Sequence, residues 1–201
     1  MFIQVIQGRV SDKDALRAQV DKWRSNVAPG ATGWLGSTSG VTADGRSVAV
    51  VRFESEDAAR LNEKRPEQDA WWSETAALFD GDPTFAESGD VDVEQEGDPS
   101  SAGFVQVMRG QSSDPERARA IMNNDSLDWR SLRPDVLAMV SVNEPGGRWT
   151  NVIYFPSEAA AREGEAKPMP PEAEAMMGEL MSLAVGEVEY FDLTDPWLHA
   201  P

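Results

Sequence analysis

The sequence predicts an α+β protein made of two consecutive βαββαβ units, each with a four-stranded antiparallel sheet. Three observations carry that prediction. The stretch Phe53-Glu54-Ser55-Glu56-Asp57-Ala58-Ala59-Arg60 returns 102 residues later as Phe155-Pro156-Ser157-Glu158-Ala159-Ala160-Ala161-Arg162. Residues 2–78 align with 104–180 without a gap, and 22 of the 77 positions are identical. Both copies also pass through strand-like and helix-like spacing in the same order, as a duplicated unit must.

Phe2 to Gly8 reads as a strand closed by glycine, and Phe104 to Gly110 copies it. Ser11-Asp12 caps a helix whose Leu16, Val20, Trp23 and Val27 share one face, until Ala28-Pro29-Gly30 stops it. The copy opens with Ser113-Asp114-Pro115, a cap with proline at the first helical position. Its later part, Asn123-Asn124-Asp125-Ser126, is a poor helix interior, so the helix is expected to be short or broken before Leu127 and Trp129.

Trp34 to Val41 is a second strand, and Thr42-Ala43-Asp44-Gly45-Arg46 a hairpin turn matched by Glu144-Pro145-Gly146-Gly147-Arg148. Third strands, Ser47 to Phe53 and Trp149 to Phe155, run into the duplicated joint. There Phe ends the strand, Ser caps a helix, and carboxylates occupy the first turn, where free N–H groups favour negative charge. Pro66 and Pro168 split each second helix, in the first copy into pieces near 55–64 and 67–79. Thr84 to Gln95 alternates as a fourth strand with one wet face, and Val185 to Leu193 is its counterpart. The resulting division is 1–95 for the first repeat, 96–102 for a linker and 103–201 for the second repeat.

Composition removes several functions. Residues 1–98 hold 10 Lys+Arg against 19 Asp+Glu, and 99–201 hold 8 against 16. Neither half can gain from counterion release, so nucleic acid and anionic membrane surfaces are not expected partners. No apolar run reaches the ~18–20 residues of a membrane span. The start of the chain has no signal-peptide pattern, which makes the cytoplasm the expected location. With no cysteine, thiolate nucleophiles, Fe–S clusters and Cys-based zinc sites are excluded. Asp80-Gly81-Asp82 and Asp90-Val91-Asp92-Val93-Glu94 place carboxylates close together, but the alternation with valine reads as a solvated strand face and no calcium-loop pattern is present, so no metal site is expected. No glycine-rich phosphate loop opens a helix.

A βαββαβ sheet with both helices on one face leaves the other face uncovered. On the first strand Ile3 and Val5 (Val105 and Val107) form a purely apolar face, assigned to the helices, while Phe2, Gln4 and Ile6 (Phe104, Gln106 and Met108) form the face left for a partner. If the repeats cover each other, with each fourth strand reaching the edge of the other sheet, one chain closes into a barrel and needs no second copy, though a further homodimer is compatible with it.

On the duplicated joint and this order of elements, nearly the whole chain resembles the dimeric α/β barrel superfamily with its ferredoxin-like units, and is similar to the antibiotic-biosynthesis monooxygenases as a fused pair. The resemblance implies a cofactor-independent enzyme of the monooxygenase or cyclase kind, acting on an apolar aromatic, polyketide-like molecule. A non-catalytic ligand-binding or scaffold protein is the alternative. The haem-degrading branch of the superfamily is not expected on residue supply, because the resemblance puts Trp72 at or near its histidine ligand position, and Glu174 in the copy. The single histidine, His199, stands in the terminal Trp197-Leu198-His199, a poor place for a base.

Such an enzyme needs an apolar pocket with a few amide, aromatic or cationic groups. The candidates for catalysis are Gln4, Arg52, Asn62 and Trp72, and those for ligand contact are Gln106, Tyr154, Trp71 and Trp34. Gln4 and Gln106 lie mid-strand among apolar residues. Arg52 and Tyr154 are matched on the third strands. Only the first copy has the Trp71-Trp72 pair, replaced by Ala173 and Glu174, so the first half is expected to hold the pocket.

Overall fold

A computed structural model describes residues 1–123 and 127–201. The Asn124-Asp125-Ser126 part of the expected helix break lies outside them. The first unit comprises Met1–Val91 with Asp195–Pro201, the second Asp92–Thr194.

In the first unit β1 (Phe2–Arg9) leads to α1 (Lys13–Asn26), whose cap Asp12 accepts from the Ala15 N–H. Next come β2 (Trp34–Val41) and β3 (Arg46–Phe53), joined by a turn in which Gly45 has φ +82°, a conformation that favours glycine. Ser55 Oγ accepts from Ala58 N–H and starts α2 (Glu56–Glu63). Pro66 opens α3 (Pro66–Ala76), and β4 (Thr84–Ser88) follows.

The second unit begins with β5 (Asp90–Gln95), then β6 (Phe104–Gln111), α4 (Pro115–Met122), the one-turn α5 (Trp129–Leu132), β7 (Ala138–Asn143) and β8 (Arg148–Phe155). It continues with α6 (Glu158–Glu165), capped by Ser157, then α7 (Pro171–Ser182) and β9 (Glu189–Leu193). β10 (Trp197–His199) returns to the first unit.

The sheet orders are β10-β2-β3-β1-β4 and β5-β7-β8-β6-β9, so each unit is a four-stranded ferredoxin-like sheet with one added edge strand. The expected single strand over Thr84 to Gln95 is two strands parted at Gly89: β4 stays beside β1, while β5 joins the second sheet. The register keeps the duplication, with Ile3 opposite Arg52 and Val105 opposite Tyr154.

Which face of each sheet meets the helices is the reverse of the sequence expectation. Phe2 packs with Trp23, Val27 and Ala59, which puts Phe2, Gln4 and Ile6 on the helix side. Ile3 and Val5, both buried, lie on the other face. Apolarity alone misassigned the faces, because the amide of Gln4 needs polar partners and α2 and β4 supply them.

Those partners form a strut present in both units. Gln4 Nε2 donates to Glu63 and Glu87, each at 2.6 Å, and Arg60 grips Glu87 with two hydrogen bonds of 2.9 and 2.5 Å. Gln106 donates to Asp192 at 2.9 Å, and Arg162 bonds Asp192 and Glu165. The guanidinium groups lie over Phe2 and Phe104, 5.5 and 5.2 Å from the ring centroids. Arg60 holds the Glu87 carboxyl below the usual carboxylate range, with Gln4 assisting. The arginine that ends the duplicated octapeptide therefore ties helix to sheet.

Candidate functional site

The first unit contains a cavity of about 480 Å³ between the helix side of its sheet and α1, α2 and α3. Its floor is made by Gln4 and Ile6 of β1, Ser37 and Ser39 of β2, Ser47, Ala49, Val51 and Phe53 of β3, and Trp197 of β10. Leu16, Val20 and Trp23 of α1 and Gln68, Trp71, Trp72 and Thr75 of α3 form the roof, with Phe79 below α3. Asn62, Glu63, Asp69, Phe85 and Glu87 complete the lining.

Small floor residues leave the space. In the second unit the positions of Ser37, Ser47 and Ala49 carry Met139, Trp149 and Asn151, and Trp149 lies down against Gly110, where an added Cβ would sit 2.6 Å from its ring. Larger side chains there occupy volume that serine and alanine leave open.

The aromatic roof is a connected series. Trp23 meets Trp34 at 4.9 Å and Trp71 at 6.2 Å, and Trp72 meets Phe85 at 5.3 Å and Phe79 at 6.3 Å, at tilted or edge-on angles. Trp71 Nε1 donates to the Gln19 carbonyl at 2.7 Å, which fixes its ring. Adjacent tryptophans thus both line the cavity, Trp71 leaning inward to Trp23 and Trp72 outward to the half-exposed Phe85.

Polar side chains close one end. Asn62, buried, donates to Gln68 at 3.1 Å and accepts from Arg65 at 3.0 Å, and Arg65 also bonds the Val27 carbonyl. Gln68 Oε1 further accepts from Trp23 Nε1 at 2.6 Å. With its oxygen taken twice, Gln68 has its two amide N–H groups for a ligand. Gln4, with both N–H groups on carboxylates, offers only its carbonyl oxygen.

The sequence candidates separate accordingly. Gln4, Asn62, Trp71 and Trp72 are brought together around the cavity. Trp34 packs behind Trp23 and is not in the lining. Arg52 lies on the opposite sheet face, since its neighbours Val51 and Phe53 are the ones that line the cavity. Gln106 belongs to the second unit's strut, and Tyr154, fully buried, sits on the face of the second sheet away from the Phe104–Phe155 cluster. Gln68, the three serines and Trp197 escaped notice in the sequence. A helical stripe, Gln68-Trp71-Thr75 with Trp72 and Phe79 beside it, could have flagged the first; nothing local flags a strand contributed from 158 residues beyond Ser39.

His199 is part of this architecture and not a loose tail. It pairs with Ser37 in the β10–β2 ladder, and its ring is 3.7 Å from Asp21. Burial, helped by Arg24 and Arg17 and opposed by Asp21, lowers its pKa from 6.5. The unfolded chain then binds the proton more readily, so the His199 contribution is fully present above about pH 6.5 and is lost as pH falls through the folded value. Urea midpoints should decline on acidification below that point, and His199→Gln should flatten the decline. An unchanged slope in the variant would remove His199 as its source.

Among the described residues no group of three or more histidines and carboxylates is placed to hold a metal ion, and no helix is long and apolar enough to cross a membrane.

Solved structures resemble both units at once. Two proteins named "putative monooxygenase" match over 99% of this chain: one from Lactobacillus acidophilus NCFM, with TM-score 0.74, 12% identity and 95% of that chain covered, and one from Fusobacterium nucleatum subsp. nucleatum ATCC 25586, with TM-score 0.76, 11% identity and 94% covered. The fold is that of the dimeric α/β barrel proteins. An anthrone oxidase-like protein shares it, at TM-score 0.67 and 10% identity over 98% of this chain and 93% of that one. At such identities the likeness is one of fold. No family model matches the sequence, and no curated protein does. The chain carries two ferredoxin-like repeats, and the cavity falls wholly within the first.

Proposed function

We propose that the first unit binds a flat, largely apolar aromatic molecule of polyketide kind and oxidises it with dioxygen, without a metal or organic cofactor, as a monooxygenase-type enzyme. The observation that carries this reading is the cavity of about 480 Å³ with an aromatic roof and a few convergent amide and hydroxyl groups. The fold shared with a protein named "putative monooxygenase" and with an anthrone oxidase-like protein supports it.

In the simplest reaction of this class a ring methylene between two aryl groups becomes a ketone, one methylene and one dioxygen giving one ketone and one water. The methylene carbon loses both hydrogens and gains one oxygen atom, and the second oxygen leaves as water carrying those hydrogens. The substrate supplies all the electrons. Asn62 and Gln68 would hold the existing carbonyl and favour the enolate form, Gln4 would accept a phenolic O–H, and Trp72 would stack on the rings. Arg52 has no place in this arrangement.

One observation favours a second reading, a binding protein with no chemistry: Gln4 and Asn62 are tied to protein partners as struts are. Incubation with anthrone separates the two. The enzyme reading expects a raised melting temperature and one dioxygen consumed per anthraquinone formed, above the background rate. Stabilisation without oxygen uptake selects the binding protein, and no stabilisation by any polycyclic phenol or quinone removes both.

A further inference from the structure

We propose that this cavity sorts ligands by charge, taking a neutral, oxygen-bearing aromatic and turning away its carboxylated analogue, with Glu63 and Asp69 setting the preference. The inference rests on the cavity being a ligand site, as proposed above. Among the described residues three carboxylates line the cavity, Glu63, Asp69 and Glu87, and no lysine, arginine or histidine does. The cations behind the lining are already engaged: Arg60 is shared among Glu56, Glu63 and Glu87, Arg65 is held by Asn62 and the Val27 carbonyl, and Arg17, over the Trp197 ring, pairs with Asp195. Asp69 has no ion-pair partner among the described residues.

The apolar end points to the same class of ligand by a separate route. Ser39 Oγ and Trp197 Nε1 belong to residues only 3% exposed, both in the lining, and face each other across the β10–β2 ladder. Neither atom has a hydrogen-bond partner among the described residues. A buried donor left unmatched is uncommon, and two at one cavity wall suit a neutral carbonyl or hydroxyl oxygen. They offer no full positive charge to a carboxylate. An anionic ligand would lose its hydration, meet like charge around Glu63 and Asp69, and find no counter-ion in the lining.

Three probes sharing one ring system test this: 2-(hydroxymethyl)anthraquinone, anthraquinone-2-carboxylate and 2-(aminomethyl)anthraquinone, titrated at neutral pH against the intrinsic fluorescence of the full chain. The carboxylate is expected to bind about tenfold or more weakly than the neutral probe, as like charges within several ångströms imply. The amine should bind at least as well as the neutral probe. High salt should narrow the gap between carboxylate and neutral probe. Asp69→Asn with Glu63→Gln should narrow it about threefold or more, and Asp69→Asn alone, at an exposed position, gives the same direction if the double variant folds poorly. Equal affinity for carboxylate and neutral probe overturns the inference and leaves the ligand site standing. If none of the three binds, the ligand site itself fails, and the charge preference fails with it.

Discussion

Glu144→Ala should destabilise the second unit by about 3–5 kcal/mol, the usual consequence of removing one partner from a buried ion pair. The Glu144 side chain is 1% exposed and that of Arg109 13%. Arg109 Nη2 donates to both carboxylate oxygens at 2.9 and 3.0 Å, its Nε donates to Thr150 Oγ1 at 2.8 Å, and the Thr150 hydroxyl donates to Glu144 at 2.8 Å. Both carboxylate oxygens have donors, so the desolvated charges are matched. Alanine at 144 takes away the carboxylate that Arg109 Nη2 holds through both oxygens and leaves a buried guanidinium short of that charge. Replacing both partners, Arg109→Met with Glu144→Leu, should cost less than the single change, since the buried guanidinium goes together with the carboxylate that it pairs with. Urea unfolding followed by circular dichroism measures both. A loss below about 1 kcal/mol for Glu144→Ala would mean that water reaches Arg109 once the carboxylate is gone.

This cluster also shows where the sequence is silent. The octapeptide, the caps Asp12, Ser55 and Ser157, and the helix break at Pro66 are local signals, and the structure repeats them within a residue or two. Arg109 lies 35 residues from Glu144 and 41 from Thr150 in the chain, and the first-copy equivalents of the three are Gln7, Thr42 and Val48, so neither spacing nor repetition hints at the pair. The face of Gln4 was misassigned for a related reason. Alternation says that Gln4 and Val5 point opposite ways, but which way depends on Glu63 and Glu87, brought up from α2 and β4. The edge exchange of β5 and β10 is likewise a long-range event: the alternation through Gly89 looks continuous in sequence although the chain changes sheets there. Part of the candidate site was nonetheless legible, because asymmetry between the copies singled out Trp71 and Trp72, which line the cavity.

The same asymmetry yields the largest expected effect on ligand binding. Trp72→Ala should weaken binding of a polycyclic quinone by about tenfold to a hundredfold, from lost apolar contact together with lost ring stacking. Trp72 is half-buried, its Nε1 holds no backbone carbonyl among the described residues, and its ring neighbours are Trp71, Phe79 and Phe85, so folding stability should change little. Trp71→Ala provides the contrast. That ring packs on Trp23 and anchors the Gln19 carbonyl, so its loss should lower stability as well as affinity. Trp149→Ala, in the second unit, should leave quinone binding as it is in the unaltered chain. Fluorescence titration and a denaturation curve on each variant separate a wall of the ligand site from a prop of the fold. Equal quinone affinity for Trp72→Ala and the unaltered chain would place the ligand elsewhere, because a planar guest in this cavity cannot avoid the wall that Trp72 and Phe85 build.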